Sequence, residues 1–345
     1  MREFWIGKKV LITGHTGFKG MWLSLILNSF KASVDGISSN NINSTLYNKL
    51  NSEVYFNNEY FFDIGKDFTD NEDIIFRNNK YDVIFHFASQ SLVSVASIQP
   101  FETLKTNVLG TYQIINNLIK YETSKSVIVA TTDKVYKNSH EVNKEDDELG
   151  GNEFYSSSKV AQEMILEAFK NIKNNTSLNI TTIRSGNVLG PGDGAKNRLI
   201  TDVISSLKSN KDIILRKPKS VRPWQDIFDS LSGYLLAAEK NYLDNDGAIY
   251  NLNTHINNDV TTLEVTQKMI DLWSSEVKII ESETSSFYES EKLRLDSSKA
   301  QEDLGWTSKL NIDQTLKKIV EWEKKETLFD IEEITFAQID KYFEN

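Results

Sequence analysis

The sequence predicts an α/β fold: a Rossmann-type, doubly wound parallel sheet with a smaller, discontinuous α/β cap. Three observations carry this. Short runs rich in Val, Ile and Phe alternate with longer amphipathic stretches, and parallel strands need such crossover connections. A glycine cluster, Gly14-His15-Thr16-Gly17-Phe18-Lys19-Gly20, follows the first apolar run and opens a helical pattern. After Arg184 the rhythm breaks into a Gly-, Pro- and Asp-containing loop at 186–194 and a basic stretch at 216–223.

Taken in order, strands are expected at 9–13, 32–37, 60–62, 83–85, 126–130 and 180–183, each a short β-branched or aromatic run. Helical periodicity is read at 18–30, 102–121 and 155–170 and again from Asp229. A late apolar run at 248–252 is expected to return to the main sheet. This assigns 1–185 plus about 226–255 to a dinucleotide-binding domain, and about 186–225 plus 256–345 to a substrate-binding cap with C-terminal helices.

Composition narrows the function. The 345 residues include no cysteine, which removes disulfides, thiolate nucleophiles and Cys-based metal sites. The four histidines, His15, His86, His140 and His255, show no helical ligand spacing, so no metal is expected. No run approaches the ~20 apolar residues of a membrane span, and the start lacks a secretory pattern, so a cytoplasmic protein is expected. A net charge of -10 disfavours nucleic acid as a partner, since phosphate backbones are held by basic surfaces.

Glycines spaced G-x-x-G-x-x-G at a strand-to-helix junction let backbone N–H groups approach a pyrophosphate at a helix N-terminus. Gly14, Thr16, Gly17, Phe18, Lys19 and Gly20 are therefore candidate dinucleotide contacts. The carboxylate that commonly ends the second strand is missing, because the run closes Ile37-Ser38-Ser39. Asp35 lies earlier, as plausibly structural as ribose-binding. Asp63 and Ile64, after the third strand, are candidates for the adenine side.

Tyr155 and Lys159 are four residues apart, which on a helix puts phenol and ammonium on one face. Lowering a tyrosine from about 10 towards neutrality requires nearby positive charge, which the Lys159 ammonium and a positively charged nicotinamide are expected to supply. Thr132 follows the fifth strand at its carboxyl end, where open α/β sheets bind ligands. Asp133 and Lys134 come next, a pair able to donate and accept protons. His86, alone, reads as a packed strand-end histidine.

Thr132, Tyr155 and Lys159 together resemble the triad of the short-chain dehydrogenase/reductase family, in its extended branch. His86-Phe87-Ala88-Ser89-Gln90 and Asn107-Val108-Leu109-Gly110-Thr111 are similar to further family segments, implying cofactor contacts from Phe87, Ala88 and Asn107. Thr132-Asp133-Lys134, GHTGFKG at 14–20, Leu149-Gly150-Gly151, Ser185-Gly186-Asn187-Val188, Arg198-Leu199-Ile200, Arg222-Pro223-Trp224-Gln225, Leu295 to Ala300 and Leu304-Gly305-Trp306 resemble the CDP-glucose 4,6-dehydratases. Val135, where cysteine is common, and Pro191 depart from that pattern.

The resemblance implies an NAD-dependent hydro-lyase that oxidises a nucleotide sugar at C4, eliminates water across C5 and C6, and returns the hydride to C6. It implies Tyr155 as the base at C4, Lys159 on the nicotinamide ribose, Thr132 aligning the sugar and Asp133 as acid at C6, with Lys134 either the base at C5 or an electrostatic stabiliser of the enolate. Asn187, Arg198 and Arg222 match nucleotide-binding positions, and Arg216 is a further candidate. NAD over NADP rests on the resemblance, as does a homodimer or homotetramer. Open alternatives are a dehydratase for a GDP-, UDP- or dTDP-sugar, a C4 epimerase, and a non-catalytic dinucleotide sensor.

Overall fold

The computed structural model describes the chain except residues 41–44, 138–141, 173–176, 196, 255–258, 283–293, 326 and 345 and the side chain of Asp259, so His140 and His255 lie outside the described residues. Seven strands make the main sheet: β1 (Lys9–Thr13), β2 (Ser33–Ser38), β3 (Asn58–Phe61), β4 (Val83–His86), β5 (Ser126–Thr132), β6 (Asn179–Ser185) and β7 (Ile249–Leu252). Their order is β3-β2-β1-β4-β5-β6-β7 and every pairing is parallel. The expected return of the 248–252 run is thus seen as β7 alongside β6.

Alternation along the strands explains why both faces are covered. Val10, Ile12, Phe85, Ile128 and Ile183 point into one core layer, against α1 (Phe18–Ser29). Leu11, Ile84, Val127 and Val129 point into the other, against α2 (Thr111–Lys120) and α3 (Phe154–Asn171). A strand with period 2 can be apolar at every position only when both sides are buried. A π-helical stretch, Lys105–Gly110, leads into α2.

Beyond β6, α4 (Leu199–Ser209), α6 (Thr262–Trp273) and α7 (Ile312–Glu323) enclose a third core of Val203, Leu207, Val265, Met269, Leu316 and Ile319. Trp224 belongs to this core and donates from Nε1 to the Val260 carbonyl at 3.0 Å. Between these regions runs α5 (Ile227–Asp244), whose buried Phe228, Leu231, Tyr234 and Leu235 lie in the first core. The last helix, α8 (Leu328–Phe343), sends Ile331, Ile339 and Tyr342 into that same sheet-side core rather than the cap core.

Candidate active site

β1 and β4 are neighbours whose following connections leave in opposite directions, and such a switch point opens a crevice at the strand ends. Gly14 turns there with φ +77°, and a Cβ would meet the Ala88 backbone nitrogen at 2.7 Å. A Cβ on Gly20 would lie 2.1 Å from the Gly14 carbonyl oxygen. At Gly17, the N-cap of α1, a Cβ would meet only the Gly14 carbonyl, and no side chain caps the helix. Closed behind and uncapped in front, this turn fits a pyrophosphate against the helix N-terminus.

β2 ends in a hydroxyl, not a carboxylate: Ser38 Oγ and Thr16 Oγ1 are hydrogen-bonded at 2.6 Å. Asp35 is buried and accepts from Tyr81 Oη (2.8 Å) and Asn58 Nδ2 (3.2 Å), which makes it structural. Asp63 accepts from the Gly65 nitrogen at 2.9 Å and lines a cleft with Ser39, Asn40, Phe62 and Phe68. The Ile64 side chain instead packs under the π-helical stretch, where a Cβ on Gly110 would come within 2.8 Å of it.

Phe87 stands edge-on to Tyr234, centroids 5.0 Å apart, and Phe18 approaches the 190 loop at Gly190. Asn107 corrects the expectation placed on it. It is fully buried, its Oδ1 accepts from Ser89 Oγ and the Gln90 nitrogen, and its Nδ2 donates to the Gln90 carbonyl and Ser158 Oγ. Its amide is spent on binding the loop after β4 to α3. His86 bridges Thr13 Oγ1 (2.7 Å) and Thr111 Oγ1 (2.9 Å), and burial pulls its pKa down to about 3, a packed neutral ring.

The three triad residues converge. Thr132 ends β5, Tyr155 and Lys159 project from the first turns of α3, and Thr132 is close enough to the Tyr155 phenol to favour its ionised form. Glu153 sets the start of α3, accepting from the Tyr155 nitrogen at 2.6 Å and the Ser156 nitrogen at 2.8 Å. In the protein alone, burial pushes Tyr155 up to about 12, offset in part by Thr132 and Arg198. Lys159 does not bond the phenol, because its Nζ donates to the Ala130 carbonyl (3.2 Å) and Gln162 Oε1 (2.9 Å). Burial, and then the charge of Lys19, bring Lys159 down to about 7.

Asp133 is buried on a short 3-10 turn, with Oδ1 accepting from Thr132 Oγ1 at 3.0 Å. Its other oxygen faces Gly186, where a Cβ would sit 3.1 Å away. Lys134 donates its backbone N–H to Thr132 Oγ1 at 3.3 Å. Its side chain is half-buried and bonds no other described residue.

Lys19 reaches past the glycine turn: Nζ donates to Ser185 Oγ at 2.7 Å, and burial brings its pKa to about 7. On the cap side, Arg198 pairs with Asp193 at 2.7 Å and donates to Ser91 Oγ at 3.2 Å. Arg222 is buried and donates to the Val221 carbonyl. The Asn187 carbonyl accepts from the Gln225 nitrogen, joining two short parallel strands, Val188–Leu189 and Gln225–Asp226. Arg216 is exposed, near the end of strand Ile213–Leu215.

Sequence reasoning did not single out Ser185 for Lys19, Gln162 for Lys159, or Asp193 for Arg198. Gln162 was the most accessible of these, standing three residues past Lys159 on the same buried face.

The GDP-mannose 4,6 dehydratase family model matches residues 11–319. The chain is 36% identical over 339 residues to the CDP-glucose 4,6-dehydratase of Salmonella typhimurium, covering 94% of this chain and 92% of the relative. It is 26% identical over 331 residues to the dTDP-D-glucose 4,6-dehydratase of Mus musculus, covering 92% and 89%. Among solved structures, the dTDP-glucose 4,6-dehydratase of Bacillus anthracis in complex with NAD shares the fold at a TM-score of 0.75 and 22% identity, covering 93% of this chain and 97% of that one. A UDP-glucose 4-epimerase does so at 0.79 and 19%, covering 92% and 98%. A match of this extent, on a sheet that brings Thr132, Tyr155 and Lys159 to one crevice, shows that the chain belongs to the GDP-mannose 4,6-dehydratase family of nucleotide-sugar 4,6-dehydratases.

Proposed function

We propose that the protein binds NAD and converts CDP-glucose to CDP-4-keto-6-deoxyglucose, residues 1–185 plus about 226–255 holding the cofactor and the remainder, apart from the sheet-packed α8, capping the sugar nucleotide. The observation that carries this reading is the turn Thr132-Asp133-Lys134 set against Tyr155 and Lys159. An epimerase needs only to remove and replace a hydride at C4, whereas a dehydratase needs an additional acid and base for C5 and C6. Cytidine specificity draws on the 36% identical Salmonella relative.

NAD, when bound, accepts the hydride from C4 and gives it back to C6. Gly14, Thr16, Gly17, Phe18, Lys19 and Gly20 would hold its pyrophosphate side and Asp63 its adenine side, with the Ile64, Phe87 and Ala88 backbone closing the crevice. Tyr155 takes the C4 hydroxyl proton while Thr132 aligns the oxygen. Burial alone keeps that phenol protonated, so cationic charge in the pocket must release it. Once C4 is a ketone, the C5 proton becomes acidic enough for Lys134 to take it as the neutral amine, and the half-buried side chain bonds no other described residue. Asp133, with one oxygen facing Gly186, protonates the departing C6 hydroxyl.

Arg198 and Arg222, with Asn187, would recognise the diphosphate, Arg198 exchanging its Asp193 partner for phosphate oxygens. Exposed Arg216 would join them only if the cap closes further. The chain is read as a cytoplasmic homodimer or homotetramer. Exposed Phe101, Leu104, Leu109, Tyr112, Phe154 and Met164 on the helical run before α2, on α2 and on α3 support self-association. No helix among the described residues is long and apolar enough to cross a membrane.

The test is product mass after incubation with NAD and CDP-glucose, in parallel with GDP-, UDP- and dTDP-sugars. Loss of one water from CDP-glucose alone is expected. Loss from another sugar corrects the nucleotide, an inverted C4 with unchanged mass favours an epimerase, and no turnover with tight NAD binding favours a sensor.

A further inference from the structure

The buried face of α3 carries a third ionisable group. Glu163 stands one turn beyond Lys159 and two beyond Tyr155, and all three are buried. Its carboxylate accepts from Arg184 Nε, 3.1 Å to each oxygen, from Arg184 Nη2 at 2.5 Å, and from Thr131 Oγ1 at 2.7 Å. Thr131 and Arg184 are register partners on β5 and β6, and the next pair along is Thr132 with Ser185. Arg184 Nη1 donates to Tyr136 Oη and to the Glu145 carbonyl, both at 2.8 Å. Tyr136 is the residue that closes the 3-10 turn bearing Asp133 and Lys134, and its Oη donates to Asn251 Oδ1 on β7 at 2.7 Å.

One carboxylate thus touches the strand of Thr132 and the helix of Tyr155 and Lys159. Through a single guanidinium it reaches the turn of Asp133 and Lys134. Stability is a poor reason for such a pair, because desolvating two charges cancels most of their attraction and apolar replacements often fold as well. Direction is a better reason: a forked Arg–carboxylate contact admits one geometry, and proton transfer is sensitive to misplacement of about 1 Å.

We propose that Glu163 and Arg184 are positioning residues, a buried clamp that sets Tyr155 and Lys159 in register with Thr132, Asp133 and Lys134 and holds charge on the Lys159 ammonium. The clamp's part in turnover rests on the dehydratase reading; its hold on Lys159 does not. Lys159 faces Tyr155, Gln162 and Glu163 on its own helix, the Ala130 carbonyl on β5, His86 on β4 and Lys19 on α1. Of these, Glu163 raises its pKa, against burial first and then Lys19, which lower it. Removing the Glu163 charge must therefore move the Lys159 titration to lower pH.

The experiment uses the full chain with Glu163→Gln and with the double variant Glu163→Met/Arg184→Met, which leaves neither charge stranded. In Glu163→Gln, kcat for water loss falls by about 10–100-fold with KM held within about threefold. The 13Cε resonance of Lys159, assigned by its absence in Lys159→Arg, titrates about one pH unit lower. In the double variant the melting temperature returns to that of the wild type and kcat does not. An unmoved Lys159 midpoint, an unchanged kcat in Glu163→Gln, or a kcat that recovers together with melting temperature overturns the clamp. If the wild type removes water from no nucleotide sugar, the dehydratase reading fails, and the Lys159 midpoint alone decides the clamp's charge-holding role.

Discussion

At the scale of single residues, the active site is defined by how few of its charges are matched inside it. Lys159 and Lys19 are both buried and both fall to about 7, Lys159 through burial and then the charge of Lys19, Lys19 through burial and then the charge of Arg198. The consequence for stability has a definite sign. A lysine whose folded pKa lies below its unfolded value of about 10.4 binds more protons when unfolded between those two pH values, so its penalty is full below pH ~7 and fades as pH rises. Lys159→Met should therefore gain on wild type in melting temperature at pH 6 relative to pH 9; a difference between the two that is flat with pH would contradict the buried-cation description. Lys134→Met addresses chemistry instead. Elimination should stop while C4 oxidation remains measurable as absorbance at 340 nm, and an unchanged rate of dehydration would remove Lys134 from the proposed base role.

At the scale of elements, the glycine turn shows why one methyl group matters. Gly14 has φ +77° and the Ala88 backbone against its Cα, so an alanine there meets both an unfavourable backbone conformation and a steric wall. Gly14→Ala should cost about 1–3 kcal/mol of stability and weaken NAD binding by more than tenfold, seen by urea titration and calorimetry. Retained stability and affinity would mean that the turn relaxes. Helix α3 is the complementary case. Glu153 caps its start, Asn107 braces it through Ser158, and Glu163 ties its middle to β5 and β6, so the phenol and ammonium ride on an element pinned at three levels.

For the whole molecule, the cap and sheet meet around the ends of β5 and β6, with Asp229 joining distant parts. Its carboxylate accepts from Tyr342 Oη (2.6 Å) and from the Lys309 and Leu310 nitrogens. Burial and then the Asp226 charge raise its pKa to about 6. A second whole-molecule property is the exposed apolar face, where Phe101 is 69% and Met164 66% exposed. If this face pairs copies of the chain, Phe101→Asp/Met164→Asp should halve the mass seen by sedimentation velocity while leaving the fold intact by circular dichroism. An unchanged mass would move the association surface elsewhere.

Much of this was legible along the chain because it is set by near neighbours. Alternation at 9–13 and 126–132 determines which side chains face each core layer, G-x-x-G-x-x-G determines the turn, and four-residue spacing determines that Tyr155 and Lys159 share a face. What only the tertiary structure decided is who satisfies each polar group once it is buried. Asn107 is drawn to Gln90 and Ser158, Lys159 to Gln162 rather than Tyr155, Lys19 to Ser185, and Glu163 to Arg184. All but Lys159 and Gln162 lie 17 to 166 residues apart. Desolvation makes an unmatched polar group costly wherever the fold buries it, so pairing follows three-dimensional proximity, which local spacing does not encode.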